Sequence, residues 1–140
     1  MIVLDTNVLS AVMQPIPDTA VVRWLDSQED QQAWTTSISV FELYSGIAAM
    51  PMGRRRSQLE LSVERVLGED LENRILDFDT AAARAAATLK GLRKLAGKPV
   101  EIRDTQIAGI VLARSATLVT RNVRDFADLD VPVINPWASG

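Results

Sequence analysis

The chain has 140 residues and a formal net charge of −3, and it contains neither cysteine nor histidine. Those absences exclude disulfides, thiolate or imidazole metal sites, a cysteine nucleophile and any mechanism that needs a histidine base. Catalysis, if there is any, falls to carboxylates, whose hard oxygens suit Mg²⁺ or Mn²⁺, and to Lys, Arg, Ser, Thr and Tyr.

Ile2-Val3-Leu4 is a short apolar, β-branched run and predicts a buried strand. Asn7 to Met13 predicts a helix that Pro15 and Pro17 end, and Asp18 caps a second, with Val21, Val22 and Leu25 at helical spacing. Ala33 to Thr36 is the next expected strand. Ser39 to Met50 is a helix stopped by Pro51 and Gly53, followed by a helix from Arg54 to Leu67 with a charged outer face. Ile75 to Phe78 is a third strand. Asp79 caps a long Ala-rich helix that runs to about Leu95 and is closed by Gly97 and Pro99. A helix over Ile102 to Arg114, a strand over Ala116 to Thr120 and a last strand over Val131 to Ile134 complete the series.

Strands alternating with helices predict an α/β protein with a central parallel sheet of about five short strands, covered on both faces. Nothing divides the chain, so a single domain over residues 1–140 is expected. The start, Met1 to Asp5, lacks the basic region of a signal peptide, and no apolar run approaches the roughly 20 residues that span a bilayer, which fits a cytoplasmic protein. With 47% hydrophobic but only 5% aromatic residues, the core must be mostly aliphatic. Trp24, Trp34 and Trp137 are candidates either for partner surface or for filling gaps between small residues; on its apolar helix stripe, Trp24 reads as core.

Four acids have positions worth weighing. Asp5 follows the first strand, where open parallel sheets bind ligands, although an Asp there also caps the next helix. Glu42 completes a capping-box pattern with Ser39, yet Val40, Leu43, Ile47 and Met50 already form that helix's apolar stripe. Glu42 points elsewhere, beside Ser45, Gly46 and Ala49. Asp104 shares a helix face with Ile107, Ala108 and Val111, and an inward carboxylate is costly unless paired or bound to metal; capping its helix is the structural alternative. Asp125, with Asn122, follows the strand ending at Thr120, in an arrangement that an Asx turn also explains. Each acid alone has an ordinary explanation. Together they converge on one edge of a parallel sheet, where their repulsion would raise their pKa values and a divalent cation would relieve it.

These residues, in this order, resemble the VapC type of PIN-domain toxins. Met1-Ile2-Val3-Leu4-Asp5-Thr6-Asn7 is similar to the family's opening, and Glu42 in Val40-Phe41-Glu42-Leu43-Tyr44 to its second acid. Asp104 in Arg103-Asp104-Thr105-Gln106 is similar to the third, and Thr120-Arg121-Asn122 with Asp125-Phe126 to the closing motif. The tail Val133-Ile134-Asn135-Pro136-Trp137 resembles the FitB-like branch. The resemblance implies a three-layer α/β/α PIN-like fold, a Mg²⁺ or Mn²⁺ site, hydrolysis of RNA, homodimers and a small antitoxin that blocks the site. It makes Asp5 and Asp104 the principal metal ligands and Glu42 the residue that completes the site, with Asp125 the fourth catalytic acid. Thr6, Asn7, Thr120 and Asn122 become supporting polar groups. Some relatives carry an acid where this chain has Asn122, so either Asp125 takes that place or the site holds a second metal less well.

On this reading a metal-bound water attacks the phosphate and Glu42 or Asp125 accepts its proton. Arg121 and Arg124 flank the acids and, with Arg103 of the cluster Lys90, Arg93, Lys94, Lys98 and Arg103, are the candidate RNA-binding residues. Arg54, Arg55 and Arg56 read as a solvated helix face, and Lys90, Arg93, Lys94 and Lys98 either as another such face or as a guide for RNA. The acidic balance is unusual for a nucleic-acid binder and motivates a rival reading, a module that binds an antitoxin or RNA without cutting it. A phosphoacceptor receiver domain needs paired acids after its first strand, and Asp5 stands alone there.

Overall fold

The computed structural model describes residues 1–28 and 32–138. Five strands form one parallel sheet: β1 (Ile2–Leu4), β2 (Ala33–Thr36), β3 (Ile75–Leu76), β4 (Thr117–Val119) and β5 (Val133–Ile134), in the order β3-β2-β1-β4-β5. Six α-helices connect them: α1 (Thr6–Met13), α2 (Thr19–Asp26), α3 (Ser37–Ala48), α4 (Arg54–Arg65), α5 (Thr80–Leu95) and α6 (Ile102–Arg114). Among the described residues, no helix is long and apolar enough to cross a membrane.

The expected elements form, with their edges shifted by a few residues. β3 stops at Leu76 rather than Phe78, because the Phe78 N–H turns away to donate to Ser37 Oγ at 3.1 Å. β4 starts at Thr117, since the Ala116 N–H still bonds the Val111 carbonyl of α6. The central strand β1 is buried throughout and therefore reads as an apolar run rather than an alternation. Period two still sorts its residues: Ile2 and Leu4 join one core with α1 to α4, while Val3 joins the other with α5 and α6. The result is three layers, α1–α4, sheet and α5–α6.

The alanines of α5 have a packing reason. A Cβ added to Gly109 of α6 would lie 2.5 Å from the Ala82 carbonyl oxygen and 2.6 Å from the Ala86 Cβ. The two helices thus touch backbone to backbone, which only small residues allow. That contact fixes the height of α6, and with it Asp104 in its first turn.

β1 lies at the middle of the sheet. The chain builds outward from it through β2 to β3, then returns to its other side for β4 and β5. The gap between the carboxyl ends of β1 and β4 is the topological switch point, where such sheets bind their ligands. The next residues after those two strands are Asp5 and Thr120.

Candidate active site

Asp5 is both a cap and a site residue. It is the N-cap of α1, its Oδ1 accepting the Thr6 N–H at 2.8 Å, and it is 3% exposed. Its Oδ2 accepts the Thr120 hydroxyl at 2.7 Å and the Asn7 amide at 3.3 Å. Thr120 Oγ1 in turn accepts the Asn122 N–H at 3.1 Å, and Asn7 Oδ1 accepts the Arg121 N–H at 3.2 Å. The loops leaving β1 and β4 are therefore sewn together around one carboxylate. Burial pushes the Asp5 carboxyl up despite these donors, and Glu42 adds to the rise.

Glu42 arrives from α3. Thr6 Oγ1 lies 2.8 Å from Glu42 Oε1 and 2.9 Å from Ser39 Oγ. A hydroxyl has one proton, and a carboxylate can only accept, so Thr6 donates to Glu42 and Ser39 donates to Thr6. The capping-box reading of Ser39 and Glu42 is overturned. The helix begins at Ser37 and its N-cap is Thr36, whose hydroxyl accepts the Ser39 N–H at 3.1 Å. Moving the start back frees the Glu42 side chain to reach α1.

Asp104 is half-buried in the first turn of α6, and its capping reading also fails, because Glu101 is the N-cap and accepts the Arg103 N–H at 2.9 Å. Its carboxyl is pushed up to about 6, first by burial and then by the negative charges of Asp5, Glu101, Asp125 and Glu42. That shared repulsion links Asp104 electrostatically to Asp5, Glu101, Asp125 and Glu42. Asp125, half-exposed, sits in the short 3-10 turn Val123–Phe126, and Asn122 is that turn's exposed N-cap.

Arg103 pairs with Glu101 at 3.1 Å and stands 3.8 Å from Glu42, so it rims the site. Arg121 stacks on Trp137, 4.9 Å from the ring centroid, and Trp137 is anchored by its indole N–H to Asp18 at 2.9 Å. Arg124 is exposed. Of the tryptophans, Trp24 is core, Trp34 packs against the α5–α6 core and Trp137 holds Arg121.

Arg93 overturns the solvated-face reading. Its side chain is 4% exposed and grips Asp128 through Nε and Nη2 at 2.9 and 3.0 Å. Nη1 donates to Thr105 Oγ1 at 2.9 Å and Nη2 to the Asp125 carbonyl at 3.0 Å. Neither Arg93 nor Asp128 stands out as a site residue in the sequence reading. The signal was present, because Arg93 falls on the buried stripe Ala82, Ala86 and Leu89 of α5.

Among the described residues, no three acids stand close enough to make a ready-formed cation cage. The donor set nevertheless fits a hard divalent cation. It is all oxygen, its carboxylates raise one another's affinity for positive charge, and Asp5 Oδ1, which accepts only the Thr6 N–H, keeps lone-pair capacity beyond its present bond.

A switch-point carboxylate cluster on this sheet order defines an α/β protein with an acidic ligand site, and comparison names the class. The model of the PIN domain matches residues 2–132. The chain is 39% identical to the plasmid stability protein StbB of Pseudomonas syringae pv. tomato, over 98% of this chain and 99% of that protein. It is 38% identical to the VapC ribonuclease Y4jK of Sinorhizobium fredii, over 98% of each chain. Its fold superimposes on the structure of FitAB bound to an IR36 DNA fragment with a TM-score of 0.88 and 34% identity, covering 100% of this chain and 98% of that one. The chain belongs to the PIN-domain family.

Proposed function

We propose that the protein is a divalent-metal-dependent endoribonuclease and the toxin of a toxin–antitoxin pair. The observation that carries the reading is the buried Asp5 at the switch point, held by Thr120, Asn7 and the Thr6 N–H, with Glu42 and Asp104 within electrostatic reach. The names of the relatives support it: one is a VapC ribonuclease, and the superimposed structure is a FitAB complex on DNA. A cognate antitoxin as partner, a homodimer, work in the cytoplasm and possession of a DNA-binding complex belong to the same reading.

Asp5, Asp104 and Glu42 would hold Mg²⁺ or Mn²⁺, which when bound supplies a Lewis acid for the scissile phosphate and a more acidic water. The chain's own groups do the rest. Thr120, Asn7 and the Thr6 N–H fix the Asp5 carboxylate in one orientation. Thr6 does the same for Glu42. Asp125, half-exposed and free of a charge partner among the described ion pairs, would accept a proton at its carboxylate. Asn122 carries no charge, so this function rests on Asp125. Arg103 and Arg121 at the rim, with Arg124 on the adjoining turn, would meet the RNA backbone.

The test is cleavage of total RNA by purified protein with Mg²⁺, with Mn²⁺ and with EDTA, beside Asp5→Asn. Metal-dependent cutting lost in both EDTA and the variant is expected. No cutting by folded protein with either metal would replace the nuclease reading with that of an antitoxin- or RNA-binding module.

A further inference from the structure

We propose that Arg93 is a positioning residue of the carboxylate centre, one guanidinium that fixes the segments carrying Asp104 and Asp125 relative to each other. The inference rests on the nuclease reading for its consequence and on geometry for its substance. Four donor contacts leave Arg93: two to Asp128, one to the Thr105 hydroxyl and one to the Asp125 carbonyl. Thr105 is the next residue after Asp104 and is itself 3% exposed. The first turn of α6 and the 3-10 turn are thereby tied to α5 at a single planar group.

Holding α5 against α6 does not explain this arrangement. The backbone contact of Gly109 with Ala82 and Ala86 already does that further along the helices, using small residues alone. A buried guanidinium is a costly fastening where apolar packing would serve, even though its partner Asp128 reaches solvent. What a guanidinium adds is a rigid fork with fixed angles. Here the fork points at the two segments whose separation sets the distance between two of the site's acids. Asp128 neutralises the charge, so Arg93 acts through geometry. Groups that orient metal-holding residues in this way are typically worth about 10- to 100-fold in metal affinity or activity.

The experiment compares the parent, Arg93→Lys and the double variant Arg93→Met/Asp128→Leu, which removes both charges together so that the fold is kept. Each is checked by circular dichroism and thermal melting. Mn²⁺ binding is then titrated calorimetrically, and RNA cleavage is resolved into kcat and KM. The expected result is a folded double variant whose Mn²⁺ affinity falls at least about 10-fold, with kcat reduced and KM for RNA little changed. Arg93→Lys keeps the charge and loses the fork, so it should show a similar loss. A folded double variant that binds Mn²⁺ and cuts RNA like the parent would overturn the proposal, and so would full retention of both by Arg93→Lys. A parent that binds Mn²⁺ yet cuts nothing would sink the nuclease reading while the Mn²⁺ titration still decided the role of Arg93.

Discussion

Asp104 shows at the residue scale how a site is held against stability. Its carboxyl is raised to about 6, so in the metal-free protein it is harder to ionise folded than unfolded. The folded state therefore binds the proton more tightly, and the penalty is fully present above pH 6 and fades as pH falls toward the ordinary Asp value. In EDTA, Asp104→Asn should be more stable than the parent at pH 7.5, on the order of 1 kcal/mol once solvent screening of this half-buried group is allowed for. The gain should vanish below about pH 4. Urea titrations at the two pH values check this, and a variant less stable than the parent at pH 7.5 would contradict it. Asp128 behaves in the opposite sense. Arg93 holds its carboxyl below the usual range, so its contribution is present at neutral pH and is lost as pH falls through that lowered value. Trp34 is a third case. Its indole nitrogen is buried without a hydrogen-bond partner among the described residues. Trp34→Phe removes a donor that earns nothing while keeping most of the ring, so unfolding free energy should change by less than about 1 kcal/mol. A loss above about 2 kcal/mol would mean that the nitrogen is satisfied after all.

Elements explain which of these residues could be read in advance. The α/β order and the helix over Ile102–Arg114 were legible from the apolar period, although the cap of that helix is Glu101 and not Asp104. The start of α3 was not. Ser39 with Glu42 fits a capping box as well as any sequence can, and only the hydroxyl of Thr36 reaching the Ser39 N–H shows that the cap lies three residues earlier. Asp5 and Asp104 could be picked out from their places after a strand and on an inward stripe. The role of Arg93 could not, because its partners Thr105, Asp125 and Asp128 lie on other elements and meet it only when the sheet is assembled. The close α5–α6 contact was equally hidden, since an Ala-rich helix does not name its neighbour. It predicts that Gly109→Ala is destabilising by about 1–3 kcal/mol through overpacking, although alanine is the better helix former by roughly 1 kcal/mol. Thermal melting would measure it; an unchanged or higher Tm would show that the helices can part without loss.

On the scale of the whole molecule, the tail after β5 ties back to two other parts of the chain. Trp137 joins the cap of α2, through Asp18, to Arg121 on the loop after β4. Trp137→Ala should therefore cost roughly 2 kcal/mol and lower Tm by about 6 °C, while releasing the Arg121 side chain. Melting combined with RNA binding separates the two effects: Trp137→Phe keeps a ring under Arg121 and should restore binding before it restores full stability. The pairing of β1 with β4 has a different consequence. Asp5 meets Thr120 across 115 residues of chain, with Asp104 and Asp125 joining from the same late stretch. Synthesis delivers Asp5 almost at once, and β2 and Glu42 follow within the first third of the chain, yet Thr120, Asp104 and Asp125 join it only when the last third has left the ribosome. On the nuclease reading proposed above, the site would be incomplete through most of its own translation, and the message that encodes it would be read nearly to the end before the protein could threaten it.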